Sequence, residues 1–146
     1  MRAVIQRILR AEVRVDGTPV GRIERGLLVY VGVGQDDHEE KACRLAEKVA
    51  AIRIFNDEND KLNLGVRDVR GGVLAVPNFT LLADARKGRR PAFVNAARGD
   101  RAEELFQVFV ETLRAQGCAV ETGLFGASMQ IDSTADGPVN IVLDMD

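Results

Sequence analysis

The sequence predicts a single mixed α/β domain in which strands outnumber helices. Two segments repeat apolar residues at helical spacing, while the other apolar segments are short, β-branched or alternating runs bounded by turn residues. No composition shift or linker divides the 146 residues. Two helices are few for so many strands, so one sheet face needs cover from a second sheet or from another subunit, and both are expected.

The elements follow in chain order. Val4 to Ile8 is apolar-rich, Val13 and Val15 alternate with Arg14, and Asp16-Gly17 with Thr18-Pro19 supplies a turn, so the opening reads as a strand pair. Leu27 to Val33 has no polar face and predicts a central strand covered on both sides. Asp36 and Asp37, with Glu39 and Glu40 three residues on, offer capping boxes for a helix. Its core stripe is Ala42, Leu45, Ala46 and Val49, and it ends near Ile52. A polar turn over Asn56 to Lys61 and the Gly71-Gly72 pair separate two further strand candidates, the second being Val73 to Val76. Asp100 with Glu103 predicts another capping box, Phe106, Phe109, Val110 and Leu113 form a second helical stripe, and Gly117 ends it. Ala119-Val120, Met129 to Ile131 and Val139 to Leu143 are the closing strands.

At this length roughly 68–70% of the unfolded surface can be buried, enough for a hydrophobic core. The longest apolar run, Leu27 to Val33, is far short of the roughly 20 residues of a membrane-spanning helix. The first residues lack the apolar stretch and cleavage site of a secretory signal, so a cytoplasmic protein with no membrane partner is expected. Cys43 and Cys118 lie far apart, outside any metal-ligand spacing, and read as buried small hydrophobes. The net charge of −2 provides no global attraction to nucleic acid. A local patch exists: Arg86-Lys87-Gly88-Arg89-Arg90 puts four cations in five residues, although such a run taken alone is ordinary solvated surface.

The chemistry available is sparse. The only histidine, His38, stands in an acidic helix start with no nucleophile placed beside it, so it reads as a surface residue. One histidine and two distant cysteines cannot furnish a zinc set, and the Asn56 to Lys61 cluster lacks the spacing of a calcium loop. No phosphate loop is present, and Gly32-x-Gly34 lacks the third glycine of a dinucleotide fingerprint. No metal and no cofactor are expected. An enzyme built from these residues would work by backbone groups, by positioning or through its substrate.

Three stretches carry a resemblance. They are Asn78-Phe79-Thr80-Leu81 with Ala83-Asp84 and the basic Arg86 to Arg90 loop, Phe125-Gly126-Ala127-Ser128-Met129, and Asp136-Gly137-Pro138-Val139. Their order and spacing, with the opening Met1 to Arg7 and Leu45 to Phe55, resemble the D-aminoacyl-tRNA deacylase family over nearly the whole chain. The resemblance implies a homodimer of three-layer β/β/α subunits whose interface receives the 3′-terminal aminoacyl-adenosine of tRNA. Gly137 and Pro138 match the family's Gly-cisPro pair, which reaches from one subunit into its partner's pocket and rejects L-residues; glycine before proline is the least hindered choice there. Phe79, Thr80 and Leu81 correspond to the stretch whose backbone amides hold the ester oxygen, while the ribose 2′-hydroxyl helps activate water; a threonine hydroxyl without a base is a poor nucleophile. Asn78, Phe125, Ala127, Met129 and Val139 are the implied substrate contacts, and Arg86, Lys87, Arg89 and Arg90 the implied tRNA contacts.

The chain departs from the family pattern at Pro77-Asn78, where Ser-Gln is usual, and at Asn140, where Thr is usual. Pro77 has no N–H to donate and Asn78 is a methylene shorter than Gln. A related editing deacylase of altered selectivity, acting on glycine or a small L-residue, therefore stays open, as do a non-catalytic tRNA-binding module and a dimeric structural protein.

Overall fold

A computed structural model of the chain describes residues 1–146. Its elements are β1 (Arg2–Val15), β2 (Thr18–Ile23), β3 (Gly26–Gly32), α1 (Glu39–Ala51), β4 (Phe55–Asn56), β5 (Leu62–Leu64), β6 (Gly72–Pro77), a 3-10 turn (Phe79–Leu82), α2 (Gly99–Ala115), β7 (Ala119–Thr122) and β8 (Gln130–Asp144). The two helices fall where the apolar stripes place them. Ala42, Leu45, Ala46 and Val49 of α1 are buried, as are Phe106, Phe109, Val110 and Leu113 of α2. Gly117, at φ +85°, ends α2, with the Cys118 N–H returning to the Leu113 carbonyl.

Neither predicted capping box forms. His38 is the N-cap of α1 and Arg98 that of α2, and neither makes a side-chain cap bond. Asp37 is instead buried, taking the Met1 ammonium at 2.6 Å and the Gly34 N–H at 2.6 Å. A buried carboxylate favours a cation and a backbone donor over an exposed helix end. His38 itself is exposed.

The opening is a strand pair turned at Asp16-Gly17, as expected, and Val4 to Ile8 and Val13 to Val15 lie in a single 14-residue strand of it, β1. β3 pairs antiparallel with its first half, Arg2 to Ile8, and β2 with its second, Ala11 to Val15. Between the halves the facing changes: Ala3 and Ile5 enter the main core beneath the helices, whereas Ile8, Ala11 and Val13 enter a second core on the other face. That second core also contains Ile23, Leu28, Leu74 and Val76. The continuous sheet therefore curls into a barrel-like form, and β2 comes back against β7. The cover over the far side of β3 and β6 is supplied by this same sheet rather than by a separate one, while both helices pack on the near side. β3 is buried on both faces, as its sequence predicts, and pairs in parallel with β6, which pairs in parallel with β7.

The closing strands are also one. β8 runs 15 residues along β1 from Arg2 to Arg14, but two steps on β1 (Ile8 to Gln6) face five on β8 (Ala135 to Asn140). Asp136 to Val139 consequently leave the ladder as a projecting bulge. Cys118 is buried, and burial pushes its thiol pKa up, as suits a small hydrophobe. Cys43 departs from the expectation: it is half-buried and lies 3.5 Å from the Thr112 hydroxyl. No helix is long and apolar enough to cross a membrane.

Candidate active site

Parallel strands end on the same side of a sheet, and loops leaving those ends surround whatever lies there. Here β3, β6 and β7 are mutually parallel. Their C-terminal ends surround a cavity of about 610 Å³, within the size range of small-molecule sites. Tyr30, Val31 and Val33 come from the end of β3, Val76 to Thr80 from the end of β6, and Phe125 to Ala127 with Met129 from the loop after β7. The first turns of α2 close it with Gly99, Ala102 and Phe106.

The 3-10 turn is seated on β3. The Asn78 N–H donates to the Val31 carbonyl at 2.8 Å. Gly32 makes room for the seat: a Cβ there would lie 2.2 Å from Leu82 Cδ2, 3.0 Å from Leu81 Cβ and 3.1 Å from the Asn78 carbonyl oxygen. Gly32, at the end of β3, thus sets the height of the turn. The Phe79 and Thr80 N–H groups head the turn, where no intrahelical acceptor is available. The Leu81 N–H turns back toward the Asn78 carbonyl at 3.4 Å, and Leu81 does not line the cavity. Thr80 Oγ1 donates to Asn78 Oδ1, so the shortened amide has found a partner within the turn.

Of the other predicted contacts, Asn78, Phe125, Ala127 and Met129 line the cavity and Val139 does not. Phe125 packs against Phe106 with ring centroids 6.3 Å apart. Phe79 is 59% exposed and tilts against Phe93 at 5.1 Å. Burial raises the pKa of the Tyr30 phenol, which stays a neutral hydroxyl on the cavity wall. The basic residues Arg86, Lys87, Arg89 and Arg90 ride on an exposed hairpin closed by Asp84 and Ala92, which exchange backbone bonds of 2.7 and 2.9 Å. Arg86 is tied to Asp84 at 2.7 Å, and that contact holds the Asp84 carboxyl well below the usual carboxylate range.

Gly137 and Pro138 are exposed on the β8 bulge, joined by a cis peptide, and do not line the cavity of their own chain. Sequence reading missed what holds them. Arg7, only 8% exposed, donates to the Ile54 carbonyl and Asn56 Oδ1 at 2.9 Å each and to the Asp136 carbonyl at 3.2 Å, with its Nε also 3.2 Å from Asp136 Oδ2. A buried guanidinium gripped through both Nε and Nη1 is a rigid post for the bulge. Its only sequence signal is an arginine amid apolar strand residues.

A profile of the D-Tyr-tRNA(Tyr) deacylase family matches residues 4–144. The chain belongs to this family. Relatives named D-aminoacyl-tRNA deacylase include one from Koribacter versatilis, 58% identical over 99% of this chain and 97% of its own. Another, from Deinococcus deserti, is 54% identical over 99% of both. The deacylase fold is also seen in solved structures. That of c-Myc DNA Unwinding Element Binding Protein superposes with a TM-score of 0.93 at 35% identity, covering 100% of this chain and 99% of that one. A probable eukaryotic D-amino acid tRNA deacylase shares the fold at a TM-score of 0.86 and 18% identity, over 99% and 98%.

Proposed function

We propose that this chain is a hydrolase of D-aminoacyl-tRNA, freeing the amino acid from the 3′-terminal adenosine. The observation that carries the reading is the meeting of Asn78, Phe79 and Thr80 with the Phe125 to Met129 loop around one cavity, in a member of the deacylase family. No histidine lines that cavity and Thr80 bonds to Asn78, so the chemistry falls to positioned backbone. The free N–H groups of Phe79 and Thr80 would take the ester carbonyl oxygen as charge builds on it. A water, assisted by the neighbouring ribose 2′-hydroxyl, adds to the carbonyl carbon; the bond to the ribose 3′-oxygen breaks, and that oxygen takes a proton.

Selectivity belongs to Gly137 and Pro138. Because they stand exposed on the β8 bulge and do not line the cavity of their own chain, a second copy is the natural recipient, and we propose a homodimer in which each copy completes the other's pocket. A rigid backbone wall there rejects an L-side chain by collision and admits a D-residue or the lone hydrogen of glycine. Glycyl-tRNA mischarged on other tRNAs is accordingly a second substrate. The basic hairpin would meet the acceptor end, and the place of action would be the cytoplasm, where tRNA is charged.

The test is hydrolysis of matched D- and L-aminoacyl-tRNA by the purified protein, with a third substrate ending in 2′-deoxyadenosine. Faster release of the D-amino acid is expected, with the deoxy substrate largely spared. Release of the D-amino acid at the protein-free rate sinks the proposal; rapid hydrolysis of the deoxy substrate removes the 2′-hydroxyl from the mechanism.

A further inference from the structure

The turn that edges the cavity is tied down by one arginine whose partners come from distant parts of the chain. Arg2 donates from Nη1 to the Leu81 carbonyl at 3.2 Å, from Nε to Asp144 Oδ1 at 2.6 Å and from Nη2 to Asp144 Oδ2 at 3.2 Å. Arg2 and Asp144 are opposite each other in the β1–β8 register, so the pair forms without backbone distortion. The Met145 N–H, donating to the Met1 carbonyl at 2.8 Å, closes the neighbouring rung. Two prongs of the guanidinium on one carboxylate fix its plane, and a third is then aimed at the turn. Carbonyls at the end of a short helix lack intrahelical partners, and Arg2 supplies one to Leu81.

We propose that Arg2, held by Asp144, is a positioning residue for hydrolysis. It sets how the Phe79–Leu82 turn sits on β3, and thereby where the Phe79 and Thr80 N–H groups point. The inference rests on the reading that those amides receive the ester oxygen. Arg2 does not line the cavity and acts only through the turn. A half-exposed ion pair by itself contributes little to stability, so the effect belongs to the rate more than to the fold.

Arg2→Ala, Asp144→Ala and the double variant are compared with the unaltered protein, reading kcat and KM separately on D-aminoacyl-tRNA and amide hydrogen exchange at residues 81–83, whose N–H groups are the bonded ones of the turn. For Arg2→Ala, kcat is expected to fall between about twofold and tenfold, the range spanned by one ordinary hydrogen bond, with KM little changed. Exchange at residues 81–83 rises while exchange in β3 holds. Asp144→Ala moves kcat the same way, the double variant is no worse than Arg2→Ala, and Arg2→Lys, which keeps the charge without the fork, falls between.

Unchanged kcat and exchange in Arg2→Ala overturn the proposal, and so does full additivity in the double variant, which would mean that the two residues act independently. A uniform rise of exchange across the sheet also overturns it, making Arg2 a general stabiliser. If the unaltered protein leaves D-aminoacyl-tRNA intact, the deacylase reading falls, and exchange at the turn alone decides whether Arg2 holds it.

Discussion

At Gly137 the backbone takes φ +137°, a conformation that L-side chains rarely adopt, and a Cβ there would stand 2.6 Å from the Val139 nitrogen. Gly137→Ala must therefore move the bulge or hold it under strain of about 1–3 kcal/mol. Arg7 grips Asp136 immediately before this point, so the displacement falls on the exposed tip that carries Pro138. The expected outcome is a reduced D-over-L ratio of kcat/KM with D-hydrolysis retained, measured on paired substrates beside a thermal melt. An unchanged ratio in a folded variant would take chiral selection away from this loop. Arg7 also shows what a linear reading loses: its acceptors lie 47, 49 and 129 residues along the chain. A lone arginine in a strand announces nothing of them.

Among the elements, the basic hairpin is less positive than its sequence. The two-pronged contact of Arg86 with Asp84 depresses the carboxyl pKa, so the pair's contribution is present above the ordinary carboxylate range and is lost only as pH falls through the lowered value. Throughout the neutral range Arg86 is thus partly neutralised, leaving Lys87, Arg89 and Arg90 as the free cations. Asp84→Asn should release it. Binding of tRNA followed by fluorescence anisotropy is then expected to tighten at low salt, and the slope of log affinity against log salt to steepen by about 0.7–0.9, one added phosphate contact. A slope no steeper than before would place the hairpin away from the phosphates.

The elements also differ in how far their sequences announce them. Both helices were legible because a stripe repeated every turn needs only local residues, and β3 because it is apolar on both faces. β8 reads as two strands, since a Gly-Pro bulge breaks period-two alternation as a loop does. The capping box before α1 misleads because Asp37 finds a buried cation elsewhere. At the candidate site, the cavity-lining members of the Asn78 to Thr80 and Phe125 to Met129 stretches were legible from the resemblance. The height set by Gly32 and the tether from Arg2 were not, because both depend on contacts between remote segments.

For the whole molecule, the cavity and the residues proposed to guard it lie in different places on one chain. If each copy guards its partner, capacity and accuracy depend on different states of association. A lone subunit would keep the cavity, the turn and the amides while lacking the wall. Dilution through the dimer dissociation range, followed with paired D- and L-substrates and by native mass spectrometry, is expected to lower the D-over-L ratio before D-hydrolysis is lost. A ratio that holds while monomer accumulates would place the wall within one chain. A proofreader built in this way makes fidelity a function of its own concentration: too scarce, it would begin to discharge the L-aminoacyl-tRNAs that the ribosome needs.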